Sequence, residues 1–269
     1  VTWGRHLVLM VRRRPEVQRS DASAALDGDK SQGWIYPEDL NPVVPMTMTL
    51  ELLAESAHRQ MPDKKVVALE NVAVYKWMNV EVPFINSIRG KKKDAGTYAL
   101  EIDGHAKGDI VLSDTFPEPP AKYVGHIDLG KEVCKSPTKE EVYGDYMFHG
   151  PRYQCAEEIL EVSEKGLRAR LTKPEGKGSL LYSIGQLIGL YLHLNAEKDN
   201  ITFPTGMKSL TFYQDFEDQS GEFDYVCVIT QLDDDFIVGD VIIKRDGKLW
   251  CVCENWQNRR FEFDLRVWD

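Results

Sequence analysis

The sequence predicts an α+β fold in which two antiparallel sheets each wrap one buried helix. Three observations lead there. The stretch SLLYSIGQLIGLYLHLN, residues 179–195, puts Leu180, Ile184, Leu187, Ile188, Tyr191 and Leu192 on one helical face, and Leu181 and Leu190 cover much of the other. A helix apolar nearly all round is buried. A second segment, MTMTLELLAESAH after Pro45, repeats the plan with Met46, Leu50, Leu53 and Ala57, widened by Met48, Leu52 and Ala54. The third observation is that each helix is followed by a set of short strand-like runs separated by turn residues.

In chain order, residues 6–11 read as a strand and residues 12–39 as a long irregular loop. Pro45 suits the first turn of the helix that follows it. Strands are then expected over 66–74, 77–82, 97–102, 109–113 and 123–129, with GHAKGD as a hairpin tip. The basic run Lys91–Lys93, beside Gly90 and Gly96, reads as a solvated loop. Polar residues 131–142 read as a linker between an N-terminal unit, 1–130, and a C-terminal unit, 143–269. The second unit opens on an aromatic segment, 143–153, and continues with strands near 155–162 and 167–171. After its helix, strands are expected over 208–214, 225–231, 236–244, 249–254 and 260–263. Asp246-Gly247 marks a tight hairpin between two of them. A sheet wrapped around one long helix is the hotdog arrangement, and two in one chain make a double hotdog.

Composition narrows the function. The 33 Lys and Arg against 43 Asp and Glu give a net charge of −10, which argues against a nucleic-acid grip. No stretch is long and apolar enough to suggest a membrane span. The opening VTWGRHLVLMVRRRP has its apolar run before its arginines, the reverse of a signal peptide, and reads as a strand. Five cysteines, Cys134, Cys155, Cys227, Cys251 and Cys253, show no CxxC spacing. Cys251 and Cys253 share one strand face, but no histidine-rich motif accompanies them. Reduced, buried thiols of a cytoplasmic protein are the expectation. Asp233–Asp235 reads as a solvated turn, so no metal site is expected.

Three motifs carry a resemblance: MFHGPRYQ (147–154), PVVPMTMTLELLAESA (42–57) and LLYSIGQ (180–186), with WQNRRFEFD near the end. In this order they resemble the dehydratase domains of polyketide synthases and of related lipid synthases of the polyunsaturated fatty acid type. The resemblance implies removal of water from a β-hydroxyacyl chain, with no cofactor beyond the phosphopantetheine of an acyl carrier protein. It implies acyl carrier protein and neighbouring synthase domains as partners, with a homodimer as a further option. In that family a histidine takes the α-proton and an aspartate helps the hydroxyl leave.

Here the sequence departs at both places. The family's LLDxxxQ puts Tyr182 where the aspartate belongs, four residues before Gln186. Its HxxxGxxxxP pattern, ending at Pro45, puts Leu40 at the glycine and Tyr36 at the histidine. No histidine lies between His6 and His58. Each missing proton-transfer group typically costs about 10²–10⁴ in rate, and a phenol is a poor replacement at neutral pH. His149 and Tyr182 are the remaining catalytic candidates. The resemblance makes Tyr36, Pro45, Tyr182 and Gln186 substrate-binding candidates, together with His149, Gly150, Pro151, Tyr153 and Gln154 of the HGPRYQ motif. His58 and His193 sit late in their helices, where the helix C-terminus favours them. His105 and His126 join no constellation. The leading expectation is a dehydratase-like domain that binds β-hydroxyacyl or enoyl chains without the usual pair. The alternatives are a dehydratase, isomerase or cyclase working through other residues, and a structural scaffold.

Overall fold

The computed structural model describes residues 7–11, 44–76, 78, 86–147, 149–176, 178–195 and 200–262. Five strands come first: β1 (Leu7–Val11), β2 (Lys65–Val74), β3 (Asn86–Lys92), β4 (Thr97–Ile102) and β5 (Ala106–Ser113), with helix α1 (Met46–His58) between β1 and β2. Two short helices follow, α2 (Ala121–Val124) and α3 (Lys139–Glu141). Strands β6 (Ala156–Ser163) and β7 (Gly166–Thr172) precede helix α4 (Ser179–Asn195). The chain then runs through β8 (Asn200–Phe212), β9 (Glu222–Leu232), β10 (Phe236–Arg245) and β11 (Lys248–Glu262).

Among the described residues all the strand pairings are antiparallel and join in the order β1-β3-β4-β5-β2-β8-β11-β10-β9-β7-β6, one sheet of 11 strands. The double hotdog is therefore continuous. Its two sheets meet edge to edge where β2 pairs with β8, Leu69 opposite Leu210. Both long helices lie against the inner face. On α4 every residue of the expected apolar face is buried, from Leu180 to Leu192. On α1, Met46, Leu50, Leu53 and Ala57 are buried, as are Met48 and Ala54. Each buried Leu, Ile or Met among them contributes about 1.5–3 kcal/mol by leaving water. Pro45 is the cap residue before α1 rather than part of its first turn. The β10–β11 hairpin turns at Asp246 (φ 52°) and Gly247 (φ 71°), the paired positive dihedrals of a type I′ turn.

Three expectations change, and a fourth, the strand over 77–82, lies outside the described residues except for Met78. Residues 123–129 form no strand: after Pro119 and Pro120 the chain enters α2, and Tyr123 and Ile127 pack on the sheet instead of pairing with it, while Val124 is exposed. Tyr123 and Ile127 cluster with Ile242, Leu249 and Val252, and Tyr123 donates its hydroxyl proton to Glu254 (2.8 Å). Lys91 and Lys92 belong to strand β3, opposite Ala99 and Tyr98, not to a loop. That strand buries few side chains, Ile88 among them, so it carried little apolar signal. Of the strand expected over 77–82 only Met78 is described, outside any strand, with its carbonyl accepting the Val44 N–H at 2.9 Å. The runs at 249–254 and 260–263 are one strand, β11. A bulge at Glu254–Asn255 carries the strand on, Asn255 at φ 51° and its N–H donating to Asp240 at 2.8 Å.

The stretch expected as a linker is stitched to the sheet edge by a bridge between Glu132 and Ser163. Thr138 and Glu141 then form a capping box that starts α3. The aromatic segment beyond it winds as a π-helical turn, Val142–Tyr146. Among the described residues no helix is long and apolar enough to cross a membrane.

Candidate functional site

The HGPRYQ segment folds as a compact loop against the first turns of α4. Pro151 opens a 3₁₀ turn, Pro151–Tyr153, and the Tyr153 N–H donates to the Gly150 carbonyl at 2.9 Å. Gln154 reaches back, its side-chain amide donating to the His149 carbonyl at 2.8 Å. Tyr153 is wholly buried. Two further bonds tie the loop to the helix: Cys155 Sγ donates to the Ser179 carbonyl (2.8 Å), and Gln186 Nε2 donates to the Tyr153 carbonyl (3.2 Å).

This packing brings together two of the sequence candidates. His149 Nε2 lies 3.1 Å from the Tyr182 hydroxyl, and the rings meet edge to face at 5.1 Å. Tyr182 also stands edge-on to Tyr153, centroids 5.2 Å apart. His149 is 6% exposed, whereas part of Tyr182 remains accessible. Burial pushes the His149 imidazole down to about 3 and the Tyr182 phenol well up, so both are neutral at physiological pH. A neutral imidazole and a phenol share one proton between them as a hydrogen bond, and neither is poised to take or give one readily.

Gln186 is engaged at both ends. Its Oε1 accepts from the Tyr143 hydroxyl (3.0 Å), and that hydroxyl also accepts from the Ala156 N–H (2.8 Å). Tyr143 is a site residue the sequence reading missed. It sits on the π-helical turn, and only the fold brings it to Gln186, 43 residues away. Among the other candidates, Gly150 is buried, Pro151 is exposed and Pro45 is buried with its carbonyl accepting the Thr49 N–H at 3.1 Å. Tyr36 lies outside the described residues.

His58, His105 and His126 are apart from this cluster. His58 bonds the Pro62 carbonyl (3.1 Å) and His105 the Lys76 carbonyl (3.1 Å). His126 borders a shallow cleft of about 430 Å³ between the 124–126 crossing and strands β6, β7, β9 and β10, which no HGPRYQ residue lines. The five cysteines are free thiols. Cys253 packs its sulfur 3.7 Å from that of Met207. Among the described residues no group of His, Cys, Asp and Glu is arranged to hold a metal ion.

No protein-family model and no curated protein sequence matches the chain. Solved structures do. The dehydratase domain from the CurK module of curacin polyketide synthase superposes with a TM-score of 0.69 at 16% identity, over 95% of this chain and 92% of that one. The chain has the fold of a polyketide synthase dehydratase domain. A trans-AT polyketide synthase dehydratase domain from Brevibacillus brevis gives a TM-score of 0.67 at 12% identity, covering 96% and 94%. The dehydratase domain of PpsC from Mycobacterium tuberculosis, solved with C12:1-CoA, gives 0.65 at 16%, covering 82% and 85%. Two further CurK structures are inactive mutants, one with a histidine replaced by phenylalanine and one with an aspartate replaced by asparagine.

Proposed function

We propose that this chain is a dehydratase-fold domain of a polyketide or fatty-acid-type synthase that binds β-hydroxyacyl or enoyl chains without the usual proton-transfer pair. The chains would arrive on the phosphopantetheine of an acyl carrier protein, with neighbouring synthase domains as the other partners. The free thiols suit a cytoplasmic multienzyme.

One observation carries the reading. At position 182, where the resemblance puts a carboxylate, α4 presents a phenol bonded to a buried, neutral imidazole. A carboxylate there could take or release a proton near neutral pH in a tuned site; a phenol raised by burial does neither. In CurK the loss of one histidine or one aspartate is enough for the mutant to be described as inactive. This chain has a tyrosine at 182 and no histidine between His6 and His58.

The test is mass spectrometry of a 3-hydroxyacyl carrier protein incubated with the domain, reading loss of water, with hydration of the enoyl form alongside. The expected result is no conversion above the protein-free control while the acyl carrier protein is retained. Clear turnover would overturn the reading, and Tyr182→Phe and His149→Ala would then identify the group responsible.

A further inference from the structure

We infer that Tyr182 is a plug over His149: its ring and hydroxyl close off an otherwise usable imidazole, leaving a latent acid–base group at the head of α4. The argument rests on geometry. Tyr182 is partly exposed as a residue, whereas His149, packed against its side chain, is 6% exposed. The phenol occupies the Nε2 side of the imidazole at 3.1 Å, and its ring covers the edge of the histidine at a centroid distance of 5.1 Å. Tyr153 backs the plug from below at 5.2 Å and is itself wholly buried.

The two partners are held by different parts of the chain. Tyr182 is fixed by the first turns of α4, where its N–H donates to the Gly178 carbonyl at 2.9 Å. His149 is fixed by its own loop, through the Gln154 bond to its carbonyl. Shortening the side chain at 182 therefore removes the cover without releasing the backbone that presents the imidazole. Ring nitrogen Nε2 would then face the space the phenol leaves, with its partner gone. A hydroxyl on an acyl chain entering from the Tyr182 side could take over the phenol's hydrogen bond one for one. That last step rests on the proposed acyl-binding role, whereas the plug itself does not.

Acylation of histidine nitrogens by diethyl pyrocarbonate at neutral pH, mapped by peptide mass spectrometry, tests the plug without any acyl ligand. His126, exposed on the 124–126 crossing, is the internal standard. In the wild-type chain His149 should react at least about tenfold more slowly than His126, because reaction must wait for local opening. Tyr182→Ala should bring the two rates together, and Tyr182→Phe, which keeps the ring, should stay slow. Thermal melts confirm that the variants are folded; Tyr182→Leu, read on the same scale, replaces Tyr182→Ala if that variant does not fold. The inference is overturned if wild-type His149 already reacts like His126, or if it stays protected once the ring is shortened. Acyl retention is measured separately, so failure of the plug and failure of the acyl-binding role give different results.

Discussion

The two central helices occupy equivalent places in their sheets yet differ in the chemistry they bury. Helix α1 buries Thr47, Thr49 and Ser56 among its apolar residues, but no titratable side chain. Thr49 and Ser56 direct their hydroxyls to the carbonyls four residues back, at 3.4 and 2.7 Å. Helix α4 instead reaches outward from its first turns. Tyr182 and Gln186 bond to His149, Tyr143 and the Tyr153 carbonyl, knitting the helix to the HGPRYQ loop. The glycines differ too: α4 carries Gly185 and Gly189, and α1 has none. A shared architecture fixes where a helix lies, whereas a few side chains in its opening turns decide whether that place holds a site.

The largest expected effect comes from His149. Above pH 6.5 the imidazole is neutral in both the folded and unfolded chains. Below it the unfolded imidazole binds a proton that the folded one, lowered by burial to about 3, does not. Stability is therefore complete above pH 6.5 and falls toward pH 3, by up to about 1.4 kcal/mol per pH unit. Glu254 acts in a lower window. The bonds from Lys208, Tyr123 and Lys122 hold its carboxyl near 2, so its contribution is present above 4.5 and lost as the pH falls toward 2. Urea denaturation at half-unit pH steps should show the decline beginning near pH 6.5, and His149→Asn should flatten the upper part of it. An unchanged slope in His149→Asn would mean that the imidazole is not held neutral by burial.

A smaller effect separates two positions on α4 itself. A Cβ at Gly185 would lie 3.0 Å from the Trp256 ring. That ring cannot easily yield, because it is buried and its Nε1 donates to Asn258 at 2.8 Å. Gly185→Ala should destabilise by about 1–3 kcal/mol through overpacking, less whatever helix propensity returns. At Gly189 the nearest atoms to a Cβ are Thr202 Oγ1 at 3.6 Å and Met147 Cε at 3.8 Å, ordinary contacts. Gly189→Ala should stabilise by about 0.5–1 kcal/mol, the usual gain in a helix interior. Denaturation midpoints of the two variants, moving in opposite directions, would establish that α4 is gripped at its Trp256 contact and not along its whole length.

The same contrast shows what was legible in the sequence. Helix α4 was readable to the residue because its apolar positions repeat at helical spacing over 17 residues. The type I′ turn was readable because Asp-Gly is suited to two positive φ values in succession. Strand β3 was not, since NSIRGKK holds its place by backbone pairing with β1 and β4 rather than by an apolar face. Tyr123, Ile127 and Leu129 imitate a strand because packing onto a sheet and pairing within one select similar side chains. In the site, the HGPRYQ loop was legible through family resemblance. The contact between His149 and Tyr182 spans 33 residues, and the role of Tyr143 depends on a π-helical turn. Both are tertiary facts with no local signature.

An effect of similar size returns to α1. Thr47 is 1% exposed, and among the described residues its hydroxyl has no hydrogen-bond partner. It lies where the two helices approach, since a Cβ at Gly178 would sit 3.3 Å from the Thr47 Oγ1. A buried hydroxyl without a partner gives up its water without recompense, a penalty of about 1–3 kcal/mol. Thr47→Val keeps the branched shape and removes that penalty, so it should stabilise the fold by about 1 kcal/mol, read as a raised urea midpoint with an unchanged m-value. On α4 the matching change, Tyr182→Phe, should destabilise, because it takes a partner away from His149 instead of removing an orphaned group. Opposite signs for these two hydroxyl deletions would confirm that α4 uses its buried polar groups and α1 merely tolerates one. Destabilisation by both would mean that Thr47 is hydrogen-bonded in solution and that the opening of α1 is polar for a reason of its own.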